Sequence, residues 1–160
     1  MVLLPYLDGE RTPNLPGARG ELAGLASFTS REALARATIE GVLCNLLEGA
    51  DHLKAHGVPD DGRLIVTGGG AKSRAYRQIL ADLAGREVWI CNEHETAAMG
   101  AAVQALAALT GEAVDETAEH WAPRLERVAE PGPGASAAVE VRAAYGRRSA
   151  QVMDRWEETR

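Results

Sequence analysis

The stretch Arg63–Gly85, RLIVTGGGAKSRAYRQILADLAG, decides how this chain is read. Leu64, Ile65 and Val66 form a short apolar run, which predicts a buried strand. Gly68, Gly69 and Gly70 follow as a turn, and a helical pattern then runs to Gly85. A strand that opens through glycines into a helix can build an anion site. The glycines let the backbone approach a phosphate, and the helix N-terminus supplies free N–H groups and the positive end of its dipole. Three glycines are equally what a plain tight strand-to-helix turn uses. The stretch alone leaves both readings open.

Two familiar phosphate motifs do not fit it. A Walker A loop needs Gly directly before Lys-Ser or Lys-Thr, and here Ala71 stands between Gly70 and Lys72-Ser73. The dinucleotide fingerprint fails at its last glycine, because Gly68-x-Gly70 is followed by Ser73. Glu93 nevertheless follows the next strand, where such sites place an acid for the ribose, so an NAD-type binding module stays in view.

Downstream, Gly85 ends the helix and Glu87–Cys91, EVWIC, predicts a second buried strand. TAAMGAAVQALAAL, from Thr96 to Leu109, predicts a helix buried on more than one side, since it is almost wholly small and apolar. Strand, helix, strand, helix with short links predicts an α/β fold with parallel strands and right-handed crossovers. Asp115–Ala122 predicts a short helix, and Pro123–Ser136, with PGPG, a linker. Ala137–Glu158 predicts a terminal helix that docks through Val141, Tyr145, Val152 and Trp156.

Upstream, Val2–Leu7 reads as an edge strand broken by Pro5, Asp8–Gly20 as a loop, and Glu21–Ser27 as a further short strand. Thr29–His56 is the longest helical pattern, opened by a capping box of Thr29 and Glu32 and closed by Gly57. Gly41, Asn45 and Gly49 share one face of it, which predicts close packing against a neighbour. The apolar run that starts directly after Met1 reads as a chain entered in the middle of a domain.

Composition narrows the functions. The chain has 160 residues, 46% of them apolar and 25% charged, which is a globular composition of single-domain size. A formal net charge of −6 gives no general pull toward nucleic acid or an anionic membrane. Cys44 and Cys91 lie in unrelated contexts, so a disulfide framework is not expected and a reducing, cytoplasmic setting is. No apolar run approaches the length of a membrane span.

Other chemistry-bearing residues are weaker. Glu48, His52 and His56 fall on one helix face at metal-like spacing, but imidazolium near a helix C-terminus is favourable without a metal. Glu93 and Glu95 could form an acid/base pair or be solvated carboxylates at a helix start. Ser73 has no evident His partner. No residue of the chain emerges as a general base, so no catalytic residue and no metal ligand is assigned.

Several of these segments, in order, resemble the C-terminal part of the FGGY family of sugar kinases, and within it the xylulokinases. LPYLDGERTPNLPGARGELAGL (Leu4–Leu25) is similar to the family's loop and strand. Gly20-x-Leu22-x-Gly24-Leu25 with LARATIEG (Leu34–Gly41) resembles its second signature. IVTGGGAKSRAYRQILADLAG resembles its adenosine-binding turn and helix, ETAAMGAAVQA (Glu95–Ala105) its connecting helix, and AAYGRRSAQV (Ala143–Val152) its closing helix. Two positions depart: Ala33 replaces a usually polar residue, and Arg74 stands where related kinases often carry Asn beside the nucleotide.

The resemblance implies a partial ribonuclease H-like, actin-like ATPase domain, with a mixed sheet flanked by helices. It implies a domain body over residues 1–121, a linker over 122–136 and a docking helix over 137–160. It implies ATP with Mg²⁺ as cofactor, and Gly68, Gly69, Gly70, Ser73 and Arg74 as contacts of the adenine nucleotide. Arg74 could stack on the base or reach a phosphate. The family transfers the γ-phosphoryl group of ATP to the 5-hydroxyl of D-xylulose, and its base and sugar contacts lie upstream of the sequence matched here. The chain is therefore expected to hold one wall of an ATP cleft, to be inactive alone, and to meet a pentulose only with that upstream half. The first strands of the family's domain are also missing, so an exposed sheet edge and a homo-oligomer that covers it are expected. Two other readings remain: the NAD-type module, and a kinase-derived interaction protein without catalysis.

Overall fold

A computed structural model describes residues 1–91 and 95–158. Its long axis is helix α1 (Arg31–Ala55). The helix starts one residue later than the expected capping box. The Ser30 hydroxyl accepts from the Ala33 amide at 3.2 Å, while the Thr29 hydroxyl accepts from the Ala26 amide. Glu32 falls in the first turn, and its carboxyl is held below the ordinary range by its own backbone amide and then by Ser30. Gly57, with φ at +87°, ends the helix in the left-handed region as expected.

Strand β1 (Val2–Leu4) crosses α1 and pairs antiparallel with β2 (Glu21–Ala23), Leu4 opposite Glu21. The crossing explains Gly41: a Cβ there would lie 2.4 Å from the Leu3 carbonyl oxygen. Gly49 does not share this role, since nothing lies within 4 Å of the equivalent position. The close-packed face is thus confined to Gly41. Asn45, between them, donates to Glu10 at 2.8 Å and so ties the Asp8–Gly20 loop to α1.

The second sheet runs in the order β3 (Leu64–Val66), β4 (Val88–Cys91), β5 (Leu125–Ala129). β3 and β4 are parallel, Val66 opposite Ile90, and α2 (Arg74–Ala84) connects them. β5 is antiparallel to β4. The mixed sheet flanked by helices is the expected fold class. β3, however, is not a buried strand. Among the described residues it is one of the two outer strands of the sheet, with Leu64 and Val66 turned to the core and Ile65 43% exposed on the other face.

β5 is also a correction, because composition reads this stretch as a linker. The chain there is held by α2. Asp82, buried, accepts from the Gly132 amide at 2.8 Å, and Gln78 donates to the Glu130 carbonyl at 2.9 Å. A Cβ on Gly134 would come 2.5 Å from the Asp82 carboxylate. The Pro-Gly run is shaped to fit over that acid, a tertiary contact that local composition cannot register.

Helix α3 (Thr96–Thr110) departs from expectation in burial. Only Ala107 is buried, and Leu109 is 85% exposed. Its packing partner among the described residues is α4 (Val114–His120), and the rest of its surface faces open space. An apolar composition states what a helix can pack against, and here little is adjacent.

The core lies where α1, α2, β1 and the last helix, α5 (Ala135–Glu158), meet. Tyr145 and Val152 are buried in it, with Val141 and Trp156 packed at its margin, as expected for a docking helix. A polar seam crosses the same junction. The Tyr6 hydroxyl lies 3.0 Å from Ser149, Ser149 donates to Glu48, and Tyr145 donates to Asn45. Burial raises the pKa of Tyr6, Glu48 and Tyr145, and pushes the Cys44 thiol up to about 11.

The two glycines of α1 should respond oppositely to alanine. Gly49→Ala should raise unfolding free energy by up to about 1 kcal/mol through helix propensity. Gly41→Ala should lower it by about 1–3 kcal/mol through overpacking against Leu3. Chemical denaturation of both variants checks the contrast; equal effects would contradict it.

Candidate functional site

The carboxyl ends of the parallel strands β3 and β4 open into one cleft, the place where open α/β sheets take ligands. The cleft measures about 450 Å³, and its lining includes Thr67, Gly68, Gly69, Lys72, Arg77 and Glu95. Val66, Ala71, Ile90 and Cys91 complete the lining as its less polar part.

Local sequence builds this shape in three steps. Gly68 takes φ at +86°, a conformation that side chains rarely tolerate, and turns the chain out of β3. A single 3₁₀ turn, Gly70–Lys72, follows. Ser73 then caps α2, its hydroxyl accepting from the Tyr76 amide at 3.3 Å. The amides of Ala71, Lys72 and Ser73 are taken by the carbonyls of Gly68, Gly69 and Gly70. The amides of the three glycines themselves donate to no other described residue.

The three glycines prove to have different reasons. Gly68 is required by its backbone angle. Gly70 is favoured by packing, since a Cβ there would lie 3.2 Å from the Tyr76 ring, which would have to shift to admit it. Gly69 has neither reason. Its φ of −62° and ψ of −40° suit any residue, and nothing lies within 4 Å of the place a Cβ would occupy. A plain turn does not need a glycine at position 69.

The match to known proteins decides the family. Residues 1–109 match the C-terminal domain of the FGGY family of carbohydrate kinases. This chain belongs to the FGGY family. It is 40% identical over 121 residues to a xylulose kinase of Streptomyces coelicolor, a match covering 76% of the chain and 25% of that protein. A crystal structure of a xyloylose kinase from Brucella ovis superposes with a TM-score of 0.84 at 30% identity, over 96% of the chain and 32% of that protein. A ligand-bound xylulose kinase from Lactobacillus acidophilus gives 0.82 at 25% identity, over 99% and 32%. The chain spans about a quarter of the length of the curated relatives it matches. The actin-like ATPase architecture implied by the sequence is that of these sugar kinases.

Within this FGGY domain the expected contacts separate. Gly68 and Gly69 line the cleft. Gly70 turns toward Tyr76, Ser73 caps α2, and Arg74 is exposed on the first turn of α2; none of the three is part of the lining. Glu93 lies outside the described residues, so the ribose-acid and acid-pair readings that include it are not placed. Glu95 is in the cleft wall, where its carbonyl accepts from Met99 in the first turn of α3. His52, His56 and Glu48 do not converge: Glu48 accepts from Ser149, and the His56 ring lies 2.8 Å from the His52 carbonyl. Among the described residues no group of three or more ligating side chains is placed to hold a metal ion.

Sequence reading missed Lys72 and Arg77. A signal for Arg77 existed: it follows Gly70 by seven residues and Ser73 by four, the spacing of one helix face. Lys72 carries no signal beyond the Walker pattern, which it fails.

Proposed function

We propose that this FGGY domain forms the adenine-nucleotide wall of a sugar kinase. That kinase transfers the γ-phosphoryl group of ATP to the 5-hydroxyl of D-xylulose, in the cytoplasm. The observation that carries the reading is Gly69, a glycine without a structural need at the mouth of a cleft between parallel strand ends. A close approach of ligand to backbone supplies the missing reason. Three uncommitted glycine amides and the cations of Lys72 and Arg77 suit an anionic ligand. Val66, Ala71 and Ile90 suit the flat apolar face of a base.

Mg²⁺ accompanies the nucleotide in this reading. Among the described lining residues one carboxylate, Glu95, is present. Magnesium is ordinarily held by substrate phosphates, waters and one or two carboxylates, so Glu95 suffices as the contribution of this wall. Phosphoryl transfer further needs a positioned base and a grip on the phosphates from both sides. The described lining supplies no such base and only one side of that grip, so in this reading the chain is one wall of the kinase and needs the other half to phosphorylate sugar. Gly68 and Gly69 touch the nucleotide directly, and Gly70 and Ser73 hold the turn; Arg74 reaches in from the rim.

We further propose that the open side of β3 is covered by a second copy of the chain. β3, with an exposed Ile65, has no strand beside its outer edge among the described residues, and an open edge with apolar surface is the combination that recruits another strand. Sedimentation velocity should show a dimer or larger species, and a monomer across micromolar concentrations would contradict this.

Titration calorimetry tests the nucleotide reading. Mg-ADP should bind more tightly than NADH. Gly69→Ala should keep or slightly raise the melting temperature of the parent chain and weaken ADP by about tenfold or more, the result of a methyl group in the ligand's path. Unchanged ADP affinity in Gly69→Ala, or NADH bound more tightly than ADP, would overturn it.

A further inference from the structure

Among the described lining residues, Arg77 carries a buried side-chain donor without a hydrogen-bond partner. It stands one turn into α2, its amide bonded to the Ser73 carbonyl, and it is half-buried in the cleft wall. Its Nε is shielded from solvent and has no hydrogen-bond partner. No ion pair with a carboxylate is found for Arg77 among the described residues. Glu95 lines the same cleft and does not serve as its partner.

A guanidinium is always charged, and a shielded donor without an acceptor is costly. Such a group is retained where a partner arrives from outside. An anion with oxygens spaced for the planar fork suits it best, which describes phosphate and carboxylate alike, and the second cation and free glycine amides beside it favour the more highly charged phosphate. The uncommitted amides of Gly68 to Gly70 precede α2 on the same connection, and Lys72 adds a second cation to the lining.

We propose that Arg77 is the phosphate contact of this cleft, taking an oxygen of the bound nucleotide's diphosphate. This deepens the nucleotide reading above and rests on it. Binding involves a small swing of the side chain that brings Nε out to its acceptor. The contact is to the phosphate and not to the base, so it contributes nothing to recognition of adenosine.

The test is calorimetric titration of the parent chain, Arg77→Met and Arg77→Lys with ADP, pyrophosphate and adenosine, with a thermal melt of each protein. Arg77→Met should weaken ADP and pyrophosphate by about ten- to a hundredfold, as expected on losing a charge-assisted hydrogen bond. Adenosine affinity should change by less than about twofold, since that ligand carries no charge for the guanidinium to meet. Arg77→Lys keeps the charge and loses the fork, so it should fall between parent and Met variant. If Arg77→Met does not fold, the Lys variant carries the test, with ADP weakened and adenosine unaffected. Equal weakening of ADP and adenosine would make Arg77 a base contact and overturn the proposal, as would no change in either. Pyrophosphate bound by the parent chain and lost in the variants, with ADP no tighter than pyrophosphate, would sustain Arg77 as an anion contact while removing the nucleotide reading. Adenosine and ADP bound alike, with no binding of pyrophosphate, would remove Arg77 and leave the nucleotide reading standing. Absence of binding by all three ligands to the parent chain would remove both.

Discussion

The seating of α2 is the constraint on which the site depends. Ile79, Leu80, Ala81 and Leu83 bury one face of this short helix in the common core, next to α1 and α5. From the same helix, Asp82 holds the turn that leads from β5 into α5. The helix is therefore fixed from two directions, by apolar burial and by a buried acceptor. Its N-terminal end, with Ser73 as cap, sets where the glycine turn lies against β3 and β4. A helix held this way does not need the ligand to organise it, which is the condition for a preformed site.

Much of this was legible in the residues, because the strand-turn-helix carries its own punctuation. Gly68, the cap at Ser73 and Gly85 mark their positions through backbone angle and capping chemistry that act locally. The resemblance to FGGY kinases was legible for a similar reason, since its motifs are short and ordered along the chain. What was not legible depended on neighbours distant in sequence. Gly41 and Gly49 look alike on a helix face, and only the crossing of β1 separates them. β5 is hidden in a Pro-Gly-rich stretch because its partners are β4 and the side chain of Asp82.

The exposure of α3 and of Ile65 has one physical meaning: both were read as buried because their side chains are apolar, and burial is a property of the surroundings. An apolar helix with a largely open surface and an outer strand with an open edge are surfaces suited to further contacts. The chain spans about a quarter of its curated relatives and keeps the architecture of their solved counterparts. The strands, turn and helices of the site are held by contacts made within these residues.

The glycine turn is where sequence and structure inform each other most. Three adjacent glycines suggest one explanation, and the fold separates them. Backbone angle accounts for Gly68, the Tyr76 ring favours glycine at 70, and neither accounts for Gly69, to which the proposed nucleotide would come close. The most direct measurement is a titration of the isotopically labelled chain with Mg-ADP, followed through backbone amide resonances. The account predicts a saturable shift of the Gly69 amide, with Gly41 and Gly49 of α1 unmoved. A Gly69 amide that stays in place while ADP binds elsewhere on the chain would contradict it.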